Sequence, residues 1–173
     1  MKDSRVGAFG AIALVLVLLA KVSLLAMLGS LGGMLLCSAL FVAHVVSRTW
    51  PLLLIRSMVH VGDAAGSKSK PLADQISGAA LVTALIWCFG ALALAGCAQA
   101  AINSVATTGR MGFDWVHWAP WAPWLAGMGA SGLAFAYMGR LLQRRLQGFT
   151  GDGLGATQQV CEIGFYLGLV LVL

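Results

Sequence analysis

Apolar residues in this chain gather into long runs and do not alternate with polar ones. Five runs stand out, over residues 7–28, 31–46, 76–101, 121–142 and 154–173. Each approaches the roughly 20 residues that a helix needs to cross the hydrocarbon of a bilayer. The second is short, and PLLLIRSMVHVG, residues 51–62, is expected to continue it as a surface or re-entrant helix. The first follows a charged start, as a signal peptide does, but it is too long for the apolar part of one and reads as a span. The pattern predicts an all-α, polytopic transmembrane helical bundle of about five spans, forming a single integral membrane domain over 1–173.

Composition supports that class. Hydrophobic residues make up 60% of the 173 and charged residues only 10%, far more apolar surface than one soluble core requires. The formal net charge of +5 could suggest nucleic acid. The basic residues, however, sit in short segments between apolar runs, as topology determinants do, so no nucleic-acid partner is expected. Lys2, Arg5, Arg48, Arg56, Lys68, Lys70, Arg140, Arg144 and Arg145 fall on one side of the spans, and Arg110 alone falls on the other. This bias puts the N-terminus, the 47–75 loop and the 140–153 loop in the cytoplasm. On the far side Trp115, Trp118, Trp121 and Trp124 recur every third residue, which suits an aromatic belt at the interface. Cys37, Cys88, Cys97 and Cys161 all lie in apolar runs without metal-ligand spacing and read as packing thiols.

Chemistry is sought among the few acids. Asp3, Asp63, Asp74 and Asp152 fall on the cytoplasmic side, and Glu162 lies inside the last apolar run. An ionised group at that depth costs several kcal/mol unless it is paired, and it is a functional candidate by default. In GFTGDGLGATQQVCEIGFYLG, residues 148–168, Asp152 is expected to cap a helix beginning near Gly153. Glu162 would then lie about 15 Å further along the axis, too far for both to hold one metal ion. Asp152 takes the metal or phosphate role. Glu162 becomes an inter-helix polar group paired with a basic residue. The plain alternatives are a helix cap for Asp152 and a structural hydrogen bond for Glu162.

Three cytoplasmic segments, MKDSR, HVVSR with VGDAAGSKSKPLAD, and GFTGDGLGA, combine basic groups with carboxylates, hydroxyls and glycine. That inventory suits a phosphate substrate with magnesium. The run Gly66, Ser67, Lys68, Ser69, Lys70 is no P-loop, since it lacks both the motif and a preceding strand. His44 and Arg48 share a helix face, and Lys21 is expected to snorkel outward from its span. A transporter would need polar residues lining several spans. Lys21, His44, Gln99 and Glu162 are the candidates, and they are expected at different depths.

MKDSRVGAFG before an apolar span, together with TGDGLGA and a glutamate in the last span, resembles the cobalamin synthase family, the adenosylcobinamide-GDP ribazoletransferases. The segment SRTWPLLLIRSMVHVGDAAGSKSKPLAD is similar to the middle of some bacterial members. The resemblance implies a magnesium-dependent enzyme of the bacterial inner membrane with a cytoplasmic active face. It would join adenosylcobinamide-GDP to α-ribazole or its 5′-phosphate and release GMP. It implies catalytic roles for Asp3, Asp152 and Glu162, with Asp3 and Asp152 at the Mg²⁺ site. Lys2, Arg5, Arg48, Ser69 and Lys70 become contacts to substrate phosphate. MKDSR also looks like the second half of the CDP-alcohol phosphotransferase signature. The family motif is preceded by an aspartate- and glycine-rich segment, so this chain is expected to be the C-terminal portion of a longer domain and inactive alone. Its partners would be the two substrates and the lipid bilayer, with a homo-oligomer or other cobalamin-pathway membrane proteins as further expectations. A CDP-alcohol-phosphotransferase-like enzyme, a small transporter and a non-catalytic membrane scaffold are the alternatives.

Overall fold

A computed structural model describes residues 7–61, 76–106 and 120–173. Five helices account for most of them: α1 (Ala8–Leu31), α2 (Gly33–Ser57), α3 (Gly78–Ala106), α4 (Ala122–Leu146) and α5 (Gly151–Val170). The expected all-α bundle is what forms. By length and apolarity α1, α2 and residues 78–102 of α3 could each cross a membrane. The other two helices carry more polar residues, and they pack tightly against each other.

Gly32 alone separates α1 from α2, at φ +154°, a backbone conformation that side chains with a Cβ rarely adopt. The chain therefore reverses sharply, and α2 returns beside α1. Pro51 lies inside α2 and cannot offer an N–H to the carbonyl one turn back. The helix nonetheless runs on to Ser57, because Leu54 and Ile55 beyond the proline are buried in the bundle. The continuation expected over 51–62 is found as far as Ser57, but within α2 itself and packed on the bundle, not as a surface or re-entrant helix. The chain then turns extended at Met58.

Helices α2 and α5 form the centre, with α4 on α5, α3 on α2, and α1 across both. The core joins Ala39, Val42, Ala43 and Val46 of α2 to Phe165, Tyr166 and Leu169 of α5, with Trp124 from α4 and Cys88 and Ala91 from α3. Trp124 is buried beside Phe165, with ring centroids 6.5 Å apart, so it belongs to the core and not to an aromatic belt. Trp121 is half-buried over Gly96 of α3, while Trp115 and Trp118 lie outside the described residues. The cysteines divide likewise. Cys88 and Cys161 are buried packing thiols, whereas Cys37 and Cys97 are exposed on the outer surface of the bundle.

The α4–α5 seam is built on small residues. A Cβ on Gly168 would come within 2.8 Å of Gly127 Cα, and one on Gly164 within 3.1 Å of the Ala130 carbonyl oxygen. Such close backbone approach is how helices associate where water supplies no driving force. Across the α2–α4 seam, the Trp50 indole N–H donates to Ser131 Oγ at 2.8 Å, and the Trp50 ring stacks on Phe135.

Candidate functional site

Helix α5 starts where the sequence is richest in glycine. Thr150, not Asp152, is its N-cap: the Gly153 N–H donates to Thr150 Oγ1 at 3.1 Å, and Asp152 falls in the first turn. The correction follows from the hydroxyl two residues earlier, which reaches the free N–H groups first. Asp152 is consequently left exposed, with no hydrogen bond or ion pair to another described residue. Its carboxylate is a hard oxygen donor of the kind magnesium takes. Among the described residues no three His, Cys, Asp or Glu side chains gather into a metal site, so Asp152 could supply one ligand of a set completed elsewhere.

A short backbone clamp fixes this end of α5. The Phe149 N–H donates to the Val59 carbonyl, and the Val61 N–H donates to the Phe149 carbonyl, each at 3.0 Å. His60 meets the Phe149 ring edge-on at 5.3 Å. Gly148 makes the clamp possible, because a Cβ there would run into the Val59 carbonyl oxygen. The C-terminal end of α2 and the first turn of α5 are thus held at one end of the bundle. Asp152 stands there, beside the chain leading into the 62–75 segment with its Lys68 and Lys70.

Arg48 is exposed on α2, nine residues or about 13 Å before its end at Ser57. It makes no hydrogen bond or ion pair with a described residue. Lys2, Asp3, Arg5, Ser69 and Lys70 lie outside the described residues, as do Asp63 and Asp74.

The second acid is in a different setting. Glu162 is fully buried in the middle of α5. The Lys21 ammonium of α1 lies 2.8 Å from Glu162 Oε1, the Tyr166 hydroxyl donates to the same oxygen at 2.9 Å, and His44 Nδ1 of α2 stands 3.5 Å away. Glu162 Oε2 is buried with no hydrogen-bond partner. The expected basic partner of Glu162 is therefore Lys21, which does not snorkel outward. Placing Lys21, His44 and Glu162 at different depths is corrected as well, since all three meet at mid-helix. Sequence reasoning missed Tyr166, although its position four residues after Glu162 puts it on the same helix face. It also missed Lys21 as the partner, although a lone cation in an apolar run was a signal to seek an acid.

Asp152 and Glu162 are ten residues apart on α5, about 15 Å along the axis, so the structure does not bring them together. It offers two stations: an open carboxylate at the end of the bundle, where a helix N-terminus favours phosphate, and a neutralised carboxylate inside.

Comparison with known proteins supplies the context. No solved structure matches the chain. A protein of Albidiferax ferrireducens named adenosylcobinamide-GDP ribazoletransferase is 61% identical over 171 residues, covering 99% of this chain and 59% of the relative. A Polaromonas naphthalenivorans protein of the same name is 51% identical over 185 residues, with 100% and 59% covered. One from Vibrio cholerae is 38% identical over 174 residues, with 100% and 56% covered. The chain thus spans a little under three fifths of the length of these relatives. The family model described as cobalamin-5-phosphate synthase matches residues 1–170, and the chain belongs to that family.

Proposed function

We propose that this chain carries part of the active site of an adenosylcobinamide-GDP ribazoletransferase working at the cytoplasmic face of a bacterial inner membrane. The reading is carried by the family match across residues 1–170. In the reaction, the hydroxyl of α-ribazole or its 5′-phosphate attacks the phosphorus attached to cobinamide. A new oxygen–phosphorus bond forms, the diphosphate bridge breaks, and GMP leaves with the bridging oxygen.

The residues have distinct parts in this. Asp152, open at the first turn of α5, would hold Mg²⁺ together with Asp3. Bound there, the ion would offset the negative charge of the diphosphate. The free N–H groups at the start of α5 would meet the same charge, and Arg48, Lys2, Arg5, Ser69 and Lys70 would add contacts to it. Glu162 supports this arrangement from within the membrane.

The transport alternative has one observation in its favour, the convergence of Lys21, His44 and Glu162 at one depth. Lys21 already neutralises the carboxylate at 2.8 Å, so a cationic solute would first have to displace it. The transferase reading predicts that the protein, expressed at its natural length in liposomes with adenosylcobinamide-GDP, α-ribazole and Mg²⁺, releases GMP in step with cobalamin formation. Failure to release GMP, with uptake of a solute into the same liposomes, would replace it with transport.

A further inference from the structure

We infer that Lys21 and Glu162 are positioning residues for the transfer reaction: their ion pair sets the depth and rotation of α1 against α5. The inference rests on the transferase reading above. The second half of α1 packs Leu24, Leu25 and Leu28 against the core, and its first half has little besides the ion pair to define its place. Residues 7–16 are exposed on every face, the first half-buried side chain is Val17, and Leu28 is its one fully buried residue. Exposed apolar side chains give little preferred rotation in a bilayer, because lipid tails are as apolar as leucine. A charge that must find its counter-charge gives a definite one.

The lever arms agree with such a role. Lys21 lies 13 residues from the start of α1, about 20 Å, and Glu162 lies 11 residues from the start of α5, about 17 Å. The clamp of Val59, Phe149 and Val61 holds the start of α5 beside the end of α2, and the reversal at Gly32 brings α1 back along α2 toward that end. Turning or sliding α1 at mid-membrane therefore displaces its cytoplasmic start relative to Asp152. Glu162 itself is 0% exposed and remote from Asp152, so it acts through Lys21 and not on substrate. Tyr166 fits the same purpose, since its hydroxyl fixes the carboxylate rotamer that Lys21 meets.

The test compares thermal stability and GMP-release kinetics of the natural-length protein in liposomes. Lys21→Met and Glu162→Gln should each raise KM for adenosylcobinamide-GDP by about tenfold or more, as misplacement of a substrate-binding element does. Lys21→Arg should stay within about threefold of wild type, and so should the exchanged pair Lys21→Glu with Glu162→Lys. Gly168→Ala, which disturbs the α4–α5 seam, should lower the melting temperature and leave KM unchanged. Single variants with normal KM would reduce the pair to a structural contact and overturn the inference. An exchanged pair that regains its melting temperature but not its KM and kcat would overturn it in favour of direct chemistry by Glu162. An exchanged pair that regains neither would show that no ion-pair latch exists. A wild-type protein without GMP release would sink the transferase reading itself, before any variant is compared.

Discussion

Helix α5 is held from two sides by opposite means. Toward α4 it meets small residues, with Gly164 and Gly168 brought against the backbone of Ala130, Ala126 and Gly127. Toward α1 it meets a long cation, and Lys21 and Glu162 are the one ion-paired acid and lysine among the described residues. The first seam gains its stability from many short-range contacts that no single substitution abolishes. The second concentrates its specificity in one pair of charges. Such a design tolerates a helix whose first half is exposed on every face, at the cost of extreme sensitivity at two positions.

That contrast can be broken from either side. The largest effect is expected from Lys21→Met, which strands a buried carboxylate whose Oε2 already lacks a partner. A loss of about 3–5 kcal/mol should show as a lower melting temperature in detergent, and Glu162→Gln added to it should recover most of the loss. Next comes Gly168→Ala, whose Cβ would press on the Ala126 carbonyl oxygen. About 1–3 kcal/mol should be lost, because two backbones must move apart. Gly148→Ala should cost about 1–2 kcal/mol, read by faster amide exchange at Phe149 and Val61 as their clamp opens. Trp50→Phe keeps most of the ring but leaves Ser131 Oγ without its donor, and about 1 kcal/mol is expected from a single inter-helix hydrogen bond.

Much of this architecture was legible in the sequence, because span length and apolarity are properties of single segments. The five runs fall on the five helices, with ends displaced by one to five residues, except that α2 runs eleven residues past the end of the second run. Glu162 was legible as an anomaly for the same reason. Its partner was not. Depth is read from the ends of a span, and a first span ending at residue 28 leaves Lys21 two turns from the far interface. The helix continues to Leu31, and that single extra turn moves Lys21 toward the middle, level with Glu162. A contact 141 positions distant in sequence then becomes possible.

Two other differences have equally local causes. TGDG offers two cap residues, and Thr150 wins because its hydroxyl reaches the Gly153 N–H, which frees Asp152. Trp121 and Trp124 share a spacing of three with Trp115 and Trp118, yet Trp124 is buried against Phe165 of the next helix, 41 positions later. Periodicity within one segment cannot tell a belt from a core position when the partner lies on another helix. The basic and acidic side chains of 1–6 and 62–75 lie outside the described residues, so the described part of the site rests on Asp152 with the clamp beside it and on Arg48 further along α2.

The division between an open chemical station at Asp152 and an interior supporting one at Glu162 is the centre of this account. Asp152 is exposed and makes no hydrogen bond or ion pair with another described residue, so Asp152→Asn isolates its chemistry. The decisive measurement is the GMP-release rate of Asp152→Asn with adenosylcobinamide-GDP and α-ribazole, taken beside its melting temperature. A fall of about 10²-fold or more at an unchanged melting temperature is the predicted result. A rate equal to wild type would contradict the account and move the chemistry away from the start of α5.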